Sequence, residues 1–135
     1  MFKGSNVGTT VAGFNLASGS GRSELYNPSM VYVDPSQNMY IMDTYNYRVI
    51  KWKVGDLIGT VVVNGRGSGT TFDRIGRSHA IYVDSQFNIY VSEYGNHRVT
   101  KWTNGNNIAG VLVCYLSFYK RKSLILILSL QGRRR

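Results

Sequence analysis

The sequence predicts an all-β protein built from short antiparallel strands. Ten tyrosines and fifteen glycines stand against two prolines, and valine- and tyrosine-rich runs broken by glycine favour short strands over long helices. The second observation is an internal repeat. The phrase DTYNYRVIKW at residues 43–52 returns fifty residues later as EYGNHRVTKW at residues 93–102. A period of this length is typical of proteins that stack copies of one small unit.

The repeat extends beyond this phrase on both sides. Residues 30–55 align with residues 80–105, and most of the differences between them are conservative. A weaker echo pairs GTTVAG at residues 8–13 with GTVVVNG at residues 59–65, which marks the end of a preceding unit. The first members of the identical pairs in the main alignment are Tyr32, Val33, Asp34, Asn38, Tyr40, Asn46, Arg48, Val49, Lys51, Trp52 and Gly55.

Each period contains four extended runs joined by turns, which predicts one four-stranded antiparallel meander per period. Both odd and even positions along the runs are apolar, as in SMVYVD, so both faces of each sheet are expected to be covered. The predicted strands are residues 29–34, 39–43, 47–52 and 59–63 in the first copy, and 80–84, 89–92, 97–102 and 107–113 in the second.

The turns have recognisable chemistry. In DPSQN, Pro35 presets one turn dihedral and Asn38 tolerates a positive φ. Asn46 and its counterpart Asn96 lie in the next connection, where an asparagine side chain bonds nearby backbone and tolerates left-handed φ.

The repeated phrase also carries charged and aromatic residues with structural roles. Asp43 or Glu93 closes one strand and Arg48 or Arg98 opens the next, which predicts an acid–arginine pair that spans the turn or reaches the neighbouring sheet. Trp52 and Trp102 are expected to fill the space between sheets.

Function offers a competing interpretation for some of these residues. Asp34, Asp43 and Asp84 are candidate cation ligands, and an arginine beside Tyr45 and Tyr47 could stack on a base. Most of these residues recur fifty positions away in the other repeat, and this recurrence favours the structural interpretation. Residues that break the repeat are better functional candidates, and they include His79 opposite Ser29 and His97 opposite Tyr47.

A four-stranded sheet covered on both faces by copies of itself is a propeller blade. The spacing P-x-x-V-x-V-D-x-x-x-N-x-Y-I-x-D-T-x-N-x-R-V-x-K-W resembles the NHL repeat over about residues 8–113. The resemblance implies about two blades, residues 19–65 and 69–113, of a six-bladed propeller. Two departures are Ser78 in place of Pro28 and EYGN in place of DTYN.

The resemblance implies a non-catalytic scaffold that contacts protein partners, with RNA as a second partner class, and no cofactor. Some NHL propellers are the target-binding part of ubiquitin ligases, but RING-type ligands are absent from this sequence, so any ligase role belongs to another part of a longer protein. The alternative is a fragment resembling the zinc-dependent peptidyl-hydroxyglycine amidating lyases, with His79 as the candidate metal ligand. One histidine cannot form such a site.

Charge and composition change after residue 113. Residues 1–113 carry ten basic and seven acidic side chains, whereas residues 114–135 carry six basic and none acidic. The mild net charge of the body argues against DNA as a partner. In the tail, the charged KRK triplet divides the apolar residues into runs that are too short to span a membrane. The remaining interpretations of the tail are an interfacial anchor or a misread exon end. The N-terminus has no signal-peptide pattern, which favours the cytoplasm. Two blades cannot close a ring, so we expect a fragment that self-associates.

Overall fold

The computed structural model describes residue 4 and residues 6–14, 16–64, 66–107 and 109–115. Most of the aperiodic tail assigned to residues 114–135 lies outside these residues. Eight strands and one short 3-10 helix, Thr44–Asn46, make up the regular structure of the described chain. No helix among these residues is long and apolar enough to cross a membrane.

The strands form two four-stranded antiparallel sheets, each with its strands in chain order, which confirms the all-β prediction. The first sheet contains β1 (Pro28–Val33), β2 (Met39–Asp43), β3 (Arg48–Trp52) and β4 (Thr60–Asn64). The second contains β5 (Ala80–Val83), β6 (Ile89–Glu93), β7 (Arg98–Trp102) and β8 (Val111–Tyr115). The last strand begins four residues later than expected from its sequence and continues past residue 113.

The two sheets share one register. Tyr40 pairs with Lys51 in the first sheet, and Tyr90 pairs with Lys101 in the second. The pairing of the third and fourth strands shifts by one residue at the same place in both sheets, directly after Val49 and Val99. The fifty-residue repeat is therefore a repeat of whole sheets, including their irregularities.

The turns use the predicted residues in a different way. Asn38 donates from its backbone and side chain to the carboxylate of Asp34, at 2.8 and 3.1 Å, and Asn88 does the same with Asp84. The left-handed φ, 65°, belongs to Gln37 instead. Asn38 closes the turn through its side chain and N–H, and the left-handed conformation that it tolerates is adopted by its neighbour Gln37.

The two sheets pack through opposite faces. On the first sheet, Tyr40, Met42, Val49 and Val63 lie on one face, here called the Tyr face, and contact the second sheet. The second sheet contributes the face that carries its tryptophan, here called the Trp face. Its residues in this core are Ile81, Val83, Ile89, Val91 and Trp102. Strand β1 lies beside β5, so the sheets are stacked head to tail.

The Trp face of the first sheet packs on a different part of the chain. Ile41, Ile50 and Trp52 form a core there with Ala12, Phe14 and Leu25 of the N-terminal segment. Gly59 and Gly110 lie directly against the indoles of Trp52 and Trp102, where an added Cβ would come within 2.8 Å of ring atoms. Both tryptophans are thus completely buried, each between its sheet and the unit before it.

Candidate binding site at the turn end of the sheets

The repeated acid–arginine pair holds the loop that enters each sheet. In the first sheet, the Arg48 Nε donates to the Asp43 carboxylate at 2.7 Å, and both groups are buried. The other guanidinium nitrogens donate to the backbone carbonyls of Ser20, Gly21 and Glu24 at 2.8–2.9 Å. This network, here called the arginine clamp, ties the 20–24 loop to the β2–β3 turn.

Asn46 completes the first clamp. Its amide donates to the carbonyl of Gly19 and to the Asp43 carboxylate, both at 2.8 Å, while the Tyr26 N–H donates to the other carboxylate oxygen. The predicted bonding of Asn46 to backbone is confirmed. The left-handed residue of this turn, however, is Tyr47, with φ 50°, because Asn46 lies within the 3-10 helix that precedes it.

The second sheet repeats the clamp with one added bond. Arg98 pairs with Glu93 at 3.0 Å and holds the carbonyls of Thr70, Thr71 and Arg74, and Asn96 bonds Gly69 and Glu93. The longer Glu93 side chain also accepts a hydrogen bond from the Thr100 hydroxyl at 2.6 Å. The predicted acid–arginine pairs therefore form within each sheet, across the turn, and hold its entry loop.

The geometry gives the repeated carboxylates structural partners. Asp34, Asp43 and Asp84 each accept hydrogen bonds from nitrogen donors at 2.7–3.1 Å. Within the described residues, no three His, Cys, Asp or Glu side chains lie together as a metal site would require. His79 is exposed, and its ring stacks on Tyr94 with centroids 4.8 Å apart.

Residues that differ between the two repeats meet at one place on the surface. Arg77, His79 and Tyr94 replace Asn27, Ser29 and Thr44 of the first repeat. The second-repeat residues lie where the entry of β5 meets the β6–β7 turn, and we call these three residues the junction cluster. Its position is at the boundary between the sheets, on the end that carries both arginine clamps.

Arg77 is the centre of the junction cluster. The phenols of Tyr94 and of Tyr47 from the first sheet lie near its exposed guanidinium and raise the pKa of Arg77 above its ordinary value. The Tyr47 ring packs against the core between the sheets. One arginine thus lies near a tyrosine from each sheet.

Gly95 allows this arrangement to form. Its N–H donates to the Arg77 carbonyl at 3.1 Å, and a Cβ at this position would lie 3.1 Å from the Arg77 nitrogen and 3.2 Å from its Cβ. The counterpart of Gly95 is Tyr45. The departure of EYGN from DTYN therefore places an aromatic ring in the cluster and removes the side chain that would crowd Arg77.

A second pair of exposed aromatic rings lies at the same end. Tyr26 and Tyr45 have centroids 5.1 Å apart, and both are more than two-fifths exposed. His97 occupies the left-handed position of the β6–β7 turn, with φ 53°, as Tyr47 does in the first sheet. The sequence singled out His79 and His97 but missed Arg77 and Tyr94, although both break the repeat.

Comparison with known proteins returns no family. No protein-family model matches this chain, and no curated protein matches it either. The likeness to NHL repeats accordingly depends on the spacing of the repeated phrase, and the chemistry of the junction cluster must be judged from its own residues.

Proposed function

We propose that the chain is part of an NHL-type, six-bladed β-propeller that acts as a non-catalytic module. It binds a protein partner at the end of its sheets that carries the β2–β3 and β6–β7 turns. Two meanders in one register, stacked head to tail with their first strands side by side, support the propeller interpretation. In a longer protein, such a module would be the target-binding part, as in a ubiquitin ligase.

The observation that carries the binding role is the junction cluster. Residues that only maintain a sheet recur at the period, as the arginine clamps do. Arg77, His79 and Tyr94 do not recur, and they lie exposed together between two sheets. Arginine and tyrosine are enriched among the residues that dominate protein interfaces.

Variants that exchange residues between repeats test this role. Arg77→Asn, His79→Ser and Tyr94→Thr each introduce the residue that the first repeat already uses at the same position. Lys53→Thr is the matched control, because it removes an exposed positive charge at the opposite end of the sheet and introduces the counterpart residue, Thr103.

The measurement is selection from a random peptide display library with the immobilised full chain. We expect peptides that bind the wild type and the Lys53→Thr variant but fail to bind the triple variant. Far-ultraviolet circular dichroism confirms that the variants keep their strands. Peptides that bind all three proteins equally, or no enriched peptides, would refute the proposed interface.

A further inference from the structure

The junction cluster presents hydrogen-bond donors, including the positively charged guanidinium of Arg77, to solvent. The Arg77 guanidinium is exposed and lies near the phenols of Tyr94 and Tyr47. A phenol oxygen that accepts a hydrogen bond from a guanidinium can still donate its own O–H. Up to two phenol hydroxyls and the free edge of a guanidinium are therefore available to one incoming group, and all are donors.

The acidic side chains at this end are already engaged. Asp43 and Glu93 are buried in their clamps with Arg48 and Arg98. In the entry loops, the Glu24 carboxylate accepts a hydrogen bond from the Gly21 N–H at 2.8 Å. The positive charge of Arg77 is thus presented to solvent and favours an anionic ligand.

The shape of the surroundings favours a side chain over a free ion. The His79 and Tyr94 rings stack on each other, Gly95, which follows Tyr94, contacts Arg77, and the Tyr47 ring packs against the core between the sheets. Aromatic walls of this kind bury the apolar part of a ligand, while the guanidinium binds a planar carboxylate through two parallel bonds.

The charge distribution favours an acidic peptide over RNA. Affinity for nucleic acid comes from several phosphate contacts along the strand. The body of the chain has a net charge of only +3 across residues 1–113, and the cluster contains one arginine. A single bidentate donor beside aromatic rings matches one Glu or Asp side chain within an extended segment.

We infer that the junction cluster recognises a carboxylate side chain of an acidic peptide segment, with Arg77 as the bidentate donor. The inference rests on the proposed function and names the partner class for the same surface. The nearby phenols of Tyr47 and Tyr94 add hydroxyl donors to the same ligand.

The test uses two fluorescent peptides that differ only in charge, one alternating Glu with Ser and the other alternating Gln with Ser. Anisotropy titrations at physiological salt compare the full-length wild type with Arg77→Asn, Arg77→Lys and Lys53→Thr. Because the chain as a whole carries +9, Lys53→Thr corrects for the attraction that any lost positive charge would reduce.

We expect the wild type and Lys53→Thr to bind the Glu peptide about tenfold more tightly than the Gln peptide, a difference of about 1.4 kcal/mol, because a hydrogen bond between a guanidinium and a carboxylate is charge-assisted. Arg77→Asn should remove this preference, and Arg77→Lys should keep only part of it. Equal binding of both peptides by the wild type, or an equal loss in Lys53→Thr, would overturn the inference.

Two further outcomes separate this inference from the proposed function. If Tyr94→Thr abolishes binding of library-selected peptides while Arg77→Asn does not, the interface stands and the carboxylate specificity falls. If an oligouridylate displaces the Glu peptide and itself binds through Arg77, the site is one for RNA and the acidic-peptide inference is overturned.

Discussion

The two buried indoles differ by a single hydrogen bond. Trp102 Nε1 donates to the Thr100 hydroxyl at 3.1 Å, and that hydroxyl donates to Glu93. In the first sheet Ile50 takes the place of Thr100, and the indole nitrogen of Trp52 has no hydrogen-bond partner among the described residues. The hydroxyl therefore links the arginine clamp to the core in the second sheet alone.

Thr100→Val should therefore destabilise the chain, because it leaves an indole N–H and a carboxylate oxygen buried without that partner. We expect a loss of about 1–3 kcal/mol in the free energy of unfolding, measured by chemical denaturation. Ile50→Val at the same position of the first sheet is the control and removes only a methylene, with an expected loss of about 0.5–1.5 kcal/mol. Because Thr100→Val conserves the side-chain shape, the absence of any loss in this variant would show that the hydrogen bonds contribute nothing.

Tyr90 makes the stability sensitive to high pH. Burial, with a smaller contribution from the Asp84 carboxylate, raises the pKa of Tyr90 from 10.0 to about 12. Because the folded pKa lies above the unfolded one, the stabilising effect of the neutral phenol is complete below about pH 10 and is lost between about pH 10 and 12. Unfolding free energies measured across this window should fall more steeply in the wild type than in Tyr90→Phe. Parallel curves would contradict the shift.

At this scale the sequence identified residue types better than their dihedrals. Asn46 bonds within its turn as expected, and Asn38 also closes its turn through its side chain, yet the left-handed positions belong to Gln37 and Tyr47. An asparagine can close a turn either by adopting positive φ or by bonding through its side chain, and one sequence does not reveal which. Arg77 was missed for a related reason, since its importance depends on Gly95 and on a tyrosine from the other sheet.

At the level of elements, the arginine clamp fixes the loop that enters each sheet. Arg98→Met should cost about 3–5 kcal/mol, because it leaves the Glu93 charge buried and unpaired. Adding Glu93→Gln should recover part of this loss by removing that charge. Denaturation midpoints measure both effects, and hydrogen exchange of the 70–76 loop should accelerate in Arg98→Met. Lys101→Met, on the same strand, is the control, and a loss as large as that of Arg98→Met would refute the clamp.

The tryptophans report on the packing between units. Trp102 lies in the core between the two sheets, and Trp52 lies between the first sheet and the N-terminal segment. Trp52→Ala and Trp102→Ala should each cost about 3–5 kcal/mol, the usual range for a large buried aromatic side chain. Thermal or denaturant melts provide the measurement. A loss below about 1 kcal/mol in either variant would show that the indole is not part of a packed core.

All eight strands could be predicted from the short valine- and tyrosine-rich runs, the turn residues between them and the repeat, and their limits agree to within about two residues except for the start of β8. The connection between β7 and β8 is one residue longer than the connection between β3 and β4. Adding fifty to a residue number of β4 therefore no longer gives the equivalent residue of β8. The one-residue shift in pairing after Val49 and Val99 also left no recognisable signal, because apolar residues occupy both parities of these strands.

For the molecule as a whole, the head-to-tail stacking of the sheets leaves one Trp face partly open. Val31 and Val33 of the first sheet are 52% and 54% exposed, whereas their counterparts Ile81 and Val83 are 4% and 2% exposed. A pocket of about 540 Å³ lies on the open face, lined in part by Val11, Phe14, Val33, Met39 and Leu57. The sequence predicted faces that need covering, but the pattern could not show which face of which sheet would remain open.

This open face predicts that the chain associates in solution. Heterologous contacts between a Trp face and another apolar face do not close on themselves after one pair, so they produce oligomers of increasing size. Light scattering on the full chain should therefore show particles heavier than the monomer that grow with concentration. Val31→Thr combined with Val33→Thr makes the open face more polar while keeping β-branched side chains suited to a strand, and it should lower the average particle mass.

Leu16→Thr is the control for this effect. Leu16 is 88% exposed, more than either valine, but it does not line the pocket on the open face. If exposed apolar area alone drives association, the control should lower the particle mass at least as much as the double variant, and the role of the Trp face would be refuted. A wild type that remains a monomer at every concentration and melts cooperatively would contradict both the role of the open face and the proposal that the two sheets are blades of an incomplete propeller.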